Sequence, residues 1–73
     1  PNITDLGAVH DLIIVQSTNT YDIGVAFSTD GSTYGSAIPH DEYQTVEYPI
    51  SARYVRISTL SGVAAEGRLL AYV

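Results

Sequence analysis

The sequence predicts an all-β fold: a small antiparallel β-sandwich, jelly-roll-like, of about six short strands. Three observations predict it. Apolar residues alternate or run in short β-branched blocks, no segment sustains a 3.6-residue period, and turn-forming residues recur between the blocks. Seventy-three residues make one thin domain, whose core supplies only about 3–5 kcal/mol without a staple. Cysteine is absent, which removes disulfides and thiolate metal sites. Two histidines fall short of the ~4 ligands of a structural zinc site. A partner surface is the expected supplement.

Taken in order, residues 1–11 read as an extended N-terminal arm and residues 12–73 as a single β domain. Leu12, Ile13, Ile14 and Val15 form a continuous apolar run, the pattern of a strand buried on both faces. Ser17, Thr18, Asn19 and Thr20 are turn chemistry, because short polar side chains bond to nearby backbone. Residues 21–27 alternate: Tyr21, Ile23, Val25 and Phe27 face one way, and Asp22, Gly24 and Ala26 the other. Asp30-Gly31 offers the positive-φ position of a tight hairpin, with residues 33–38 returning as its second strand. Pro39, His40, Asp41 and Glu42 read as a polar loop, since Pro39 cannot donate to a ladder. Residues 43–48 alternate again, with Val46 and Tyr48 on one side. Pro49 and Ser51 turn the chain into a strand over 53–59, where Val55 and Ile57 oppose Tyr54 and Arg56. Residues 63–66 have room for one helical turn, and residues 68–73 close the chain as a strand.

Charge removes several partners. Three arginines and no lysine stand against eight carboxylates, a formal net charge of −5. Such a chain repels polyphosphate, which argues against nucleic acid, and anionic membrane surfaces are disfavoured for the same reason. No apolar run approaches the ~20 residues of a spanning helix, so no membrane insertion is expected.

His10-Asp11 and His40-Asp41-Glu42 are the clusters with metal or acid–base character. Neighbours on an extended chain point to opposite faces, so both read as solvated loops, and no metal or cofactor is expected. The run Ser28, Thr29, Asp30, Gly31, Ser32 lacks the spaced carboxylates that give a calcium loop ~6–8 oxygens; a hairpin turn explains it. No nucleophile elbow or oriented base is present, so no catalytic residue is assigned and an enzyme is not expected. The candidate binding residues are Tyr34, Tyr43, Tyr54 and Arg53. Tyrosine joins apolar area to a hydroxyl, and arginine presents a planar fork to a carboxylate, an acidic sugar or a partner's backbone. Tyr21 and Tyr48 fall in phase with the core and are assigned to packing, whereas Tyr72 faces a surface. Arg56 is assigned a structural ion pair with Asp22, Glu47 or Glu66. In a regular strand it projects opposite to Arg53, three positions away. Asn2-Ile3-Thr4 matches the glycosylation sequon.

Phe27-Ser28 followed by Thr29-Asp30-Gly31-Ser32-Thr33-Tyr34, then Ala52-Arg53-Tyr54-Val55-Arg56-Ile57 and a closing strand over 69–73, resembles the discoidin family. This is the coagulation-factor type C family of galactose-binding-like jelly rolls, and the likeness runs over residues 12–73. The family's hairpin usually carries a tryptophan where this chain has Tyr34. Its members are about twice as long, and the terminal cysteine pair common in extracellular members is absent here. Their ligand-gripping loops have no counterpart in this sequence, so none of their ligand residues carries over. The resemblance implies a non-catalytic binding fold that docks on glycans, lipid headgroups or protein surfaces.

Two functional expectations follow. One is a binding or adhesion module docking on a glycan or protein surface within a larger assembly. The alternative is a virion structural protein, a capsid decoration, cement, head or tail component stabilised by oligomerisation. Either implies a protein partner or homo-oligomer, with a glycan possible, and a location that is extracellular, on a cell surface or in a virion.

Overall fold

The computed structural model describes residues 2–18, 23–41, 43–59 and 69–73. Among these lie seven strands: β1 (Asn2–His10), β2 (Ile13–Ser17), β3 (Ile23–Ser28), β4 (Ile38–His40), β5 (Thr45–Tyr48), β6 (Ala52–Thr59) and β7 (Leu69–Tyr72). They make two antiparallel sheets, one of four strands in the order β1-β6-β3-β4 and one of three in the order β5-β2-β7. The expected all-β sandwich is the observed fold. Its core joins Ile13 and Val15 of β2, Tyr48 of β5 and Ala71 of β7 to Ile23, Val25 and Phe27 of β3 and Ala52, Val55 and Ile57 of β6. Each fully buried aliphatic side chain contributes about 1.5–3 kcal/mol, so these few residues carry most of the cohesion.

The strand count exceeds the expected six because residues 2–10 are not a free arm. β1 pairs with β6, Asn2 opposite Ile57 through Asp5 opposite Tyr54. The register then shifts before His10 meets Ala52. Gly7 lies in the shifted stretch at φ 86°, a left-handed conformation that glycine enters without a Cβ penalty. Its amide donates to Asp5 Oδ1 at 2.8 Å, so Asp5-Leu6-Gly7 builds the irregularity locally.

The strand expected over 33–38 lies instead at Ile38–His40, and the connection from β3 occupies residues 29–37 without strand. Asp30-Gly31 therefore opens a broad loop rather than a two-residue hairpin. Pro39 sits within β4, opposite Gly24. It is tolerated there because β4 is an edge strand, where a missing N–H need not break a ladder.

Burial corrects two further expectations. Residues 12–15 read as buried on both faces, yet only Ile13, Val15 and Ser17 are buried, Ile14 and Gln16 are half-buried, and Leu12 is exposed. β3 read as one-faced, yet every residue from Ile23 to Ser28 is buried. Tyr21, Asp22, Glu42, Glu66, the loop over 63–66 and Arg68 lie outside the described residues.

Candidate functional site

Directly paired residues of an antiparallel sheet share a face. The outer face of the four-stranded sheet therefore carries Ile3 and Asp5 of β1, Tyr54, Arg56 and Ser58 of β6, and Gly24, Ala26 and Ser28 of β3. Three of the four candidate binding residues gather on or over it.

Arg53 grips Asp5 through two parallel bonds, Nε to Oδ1 at 2.8 Å and Nη2 to Oδ2 at 3.1 Å. The fork-on-carboxylate geometry is the strong form of such a pair, although side-chain exposures of 38% and 47% let solvent screen it. The Arg53 hydrogen bond, seconded by the Gly7 amide, holds the Asp5 carboxyl below the usual carboxylate range. The same bond raises the Arg53 guanidinium above its ordinary value. Along β6, Ala52 is buried, Arg53 and Tyr54 are both half-buried, and Val55 is buried. Strict alternation breaks beside the shifted register of β1. This is why Arg53, expected opposite to Arg56, brings its guanidinium 5.1 Å from the Tyr54 ring centroid, on the side that carries Arg56.

Tyr54 also supports the loop tip. A Cβ placed on Gly31 would lie 3.2 Å from the Tyr54 ring, and Gly31 adopts φ 81°. Side chains of the loop fold it onto itself. Ser28 Oγ donates to Asp30 Oδ1 at 2.9 Å and accepts from the Gly31 amide at 2.9 Å. Asp30 Oδ1 accepts from the Thr33 amide at 2.9 Å and the Ser32 amide at 2.8 Å. These bonds, that from Thr33 first, hold the Asp30 carboxyl below the usual range. Asp30 is thus committed to shaping the broad loop that replaces the expected tight hairpin.

Tyr34 lies over Arg56, whose guanidinium carbon sits 4.4 Å from the ring centroid. Arg56 is opposite Ala26, and the Gly35 amide donates to the Phe27 carbonyl at 3.1 Å, so the loop lies down against β3 and helps close its second face. Among the described residues the contact of Arg56 is this aromatic stack, where an ion pair was expected. Of its named partners, Glu47 belongs to the other sheet, and Asp22 and Glu66 lie outside the described residues. The Tyr34 hydroxyl is buried and has no hydrogen-bond partner among the described residues.

Tyr43 stands apart. It is 60% exposed on the β4–β5 connection, with φ 56°, a region a bulky residue rarely enters. The next carbonyl explains the constraint, because Gln44 O accepts from both the Ser17 amide and His40 Nε2, each at 2.9 Å.

His40 corrects the solvated-loop reading most sharply. It is 1% exposed, and its Nδ1 lies 2.7 Å from the Tyr48 hydroxyl. A carbonyl can only accept, so Nε2 carries the ring proton toward Gln44, and in the neutral imidazole Nδ1 accepts from Tyr48. The ring clips the edge of one sheet to the edge of the other. Burial, with Asp41 nearby, raises the Tyr48 hydroxyl above its ordinary value. His10 and His40 do not meet, for β1 and β4 are opposite edges of the four-stranded sheet. Among the described residues no three His, Asp or Glu side chains gather where a metal ion would bind.

Sequence reasoning missed Asp5 and the clip made by His40. The Asp5-Leu6-Gly7 spacing was the available signal for the first. Nothing local distinguished a buried His40 from a loop histidine. Comparison with protein-family models, curated proteins and solved structures gives no match to this chain.

Proposed function

We propose that this domain is a non-catalytic binding module that docks on a glycan or protein surface through the outer face of its four-stranded sheet. The observation that carries this reading is the convergence of Tyr34, Tyr54, Arg53 and Arg56 around one self-supported loop. Aromatic and arginine side chains combine large contact area with directed donors, the mixture enriched where proteins recognise partners. A rigid scaffold under a shaped loop is the usual platform for such recognition. The discoidin-like pattern of residues 27–34 and 52–57 agrees with it, and a place at a cell surface or virion exterior suits it.

The test is an amide-shift map of isotopically labelled protein titrated with neutral and acidic oligosaccharides and with host-surface protein extract. Docking through this face perturbs residues 26–34 and 53–56 together. Perturbations confined to β2, β5 and β7 refute the assignment.

A second reading, a structural component of a virion or similar assembly, is favoured by one observation. Leu12, Tyr72 and Val73 are exposed at 45%, 41% and 57%, beside a three-stranded sheet whose Ile14 and Leu70 are only half-buried. If association completes the fold, the melting temperature rises with protein concentration. A concentration-independent melt of a monomer removes this alternative.

A further inference from the structure

The described carboxylates near the loop are already engaged: Asp5 by Arg53 and Gly7, Asp30 by Ser28, Ser32 and Thr33. Arg56 differs. Its neighbours across the ladder are Ala26 and Ile3, neither of which offers a side-chain acceptor. Its contact with Tyr34 engages the flat face of the guanidinium, while the five N–H donors of that group lie in its plane. Among the described residues none of those donors has an acidic partner, in a chain with an excess of carboxylates. The Tyr34 hydroxyl is buried and has no partner among the described residues. No Arg56 nitrogen is among the buried atoms that lack a partner, so its in-plane donors are open to solvent beside the Tyr34 ring, where an outside acceptor can reach them.

We infer that Arg56, steadied by Tyr34, binds the carboxylate of an acidic sugar. This rests on the binding-face reading above and names its ligand. Charge decides the class. A chain of net charge −5 repels a polyanion, and among the described residues the face offers one uncommitted guanidinium, because Arg53 is already gripped by Asp5. The ligand must bring one negative charge on an otherwise neutral, hydrogen-bonding body. A uronic-acid residue at the end of a neutral glycan has that character, and Ser58 and Thr33 place hydroxyls near the same strand and loop. Clustered acidic peptides and sulfated or phosphorylated polymers do not fit it.

The test titrates labelled protein with three probes: a neutral oligosaccharide ending in glucuronate, the same oligosaccharide ending in glucose, and acetate. The glucuronate probe is expected to saturate shifts at Ala26, Tyr34 and Arg56, with the glucose probe about tenfold weaker or more, the worth of one charge-assisted bond. Arg56→Gln loses the same factor, Arg56→Lys keeps part of the affinity, and Tyr34→Phe weakens it less. Equal binding of both sugars on this face overturns the carboxylate grip and leaves the docking reading intact. Acetate as effective as the glucuronate probe overturns the sugar class. Shifts at these amides with a protein extract but with neither sugar overturn the inference alone. Should Arg56→Gln fail to fold, the shift map of the unaltered protein and the Arg56→Lys variant decide. Non-additive stability losses between Arg56→Gln and either Asp22→Asn or Glu66→Gln would show an internal ion pair and overturn it.

Discussion

β2 and β3 are each an inner strand of their sheet, and they invert what their sequences suggest. β2 is the more apolar, with Ile13, Ile14 and Val15 in succession, yet one of its faces stays half-open. β3 carries glycine, alanine and serine on alternate positions, yet both of its faces are closed. Side-chain size accounts for the difference. Gly24 and Ala26 leave room for a loop to lie against the sheet, and that loop carries Tyr34, which spreads over Arg56. On β2 the corresponding positions hold Ile14 and Gln16, and no second layer of described residues covers them. Small residues on the solvent side of a strand thus signal close approach, where hydrophobicity alone signals nothing about the second face.

The largest expected effect breaks the shared inner layer. Ile23→Ala removes a wholly buried side chain and should cost about 2–5 kcal/mol, enough to unfold a domain of this size at ambient temperature. Urea denaturation or loss of amide dispersion checks it. The next prediction addresses the contrast itself. Ala26→Leu should cost about 1–3 kcal/mol by overpacking the closed face of β3, whereas Ile14→Thr on β2 should change stability by about 0.5 kcal/mol or less. Equal effects in denaturant titrations would erase the distinction between the strands.

Tyr48→Phe tests the seam between the sheets. It strands the buried Nδ1 of His40 and should cost about 1–3 kcal/mol. It should also remove an alkaline sensitivity. The folded-state value of Tyr48 is raised, so above pH ~10, its ordinary value, the unfolded chain loses the proton first. Stability present below that pH is then lost as pH rises through the folded-state value. Melting temperatures between neutral and strongly alkaline pH should fall more steeply in the unaltered protein than in the variant.

Gly31→Ala should cost about 1–2 kcal/mol, because it forces a Cβ into the left-handed region and against the Tyr54 ring, and thermal melts measure it directly. The smallest effect belongs to Asp5→Asn. The lowered carboxyl of Asp5 supplies stability above its ordinary value that is lost as pH falls through the folded-state one. The variant should therefore be less sensitive to acid. At neutral pH the difference should shrink in high salt.

Much of this was legible. The alternating and β-branched blocks placed β2, β3, β5, β6 and β7 to within a few residues, because a period of two is written locally. Tyr54, Arg53 and Tyr34 read as surface chemistry from the sequence, and all three are half-buried in the structure, Tyr34 in a loop rather than a strand. What stayed hidden was non-local. The pairing of β1 depends on β6, some fifty residues away in the pairings of Asp5 with Tyr54 and Asn2 with Ile57. The burial of His40 depends on Tyr48 and Gln44 across a turn, and the partner of Arg56 lies in a loop whose path no local pattern dictates. Arg53 was assigned its face by assuming regular alternation, which the register shift between Asp5 and His10 disturbs, whereas Arg56 keeps its expected face.

One feature of the topology governs how such a chain comes into being. β6 sits between β1 and β3, so two strands made early wait for one made late. Until residues 52–59 have been synthesised, β1 has no ladder and β3 lacks one of its two. Closure of distant segments is slow, and exposed strand edges in the interval invite pairing with other chains. The nascent polypeptide is most vulnerable to aggregation just before residues 52–59 emerge, and a chaperone or rapid translation through β6 would serve it best.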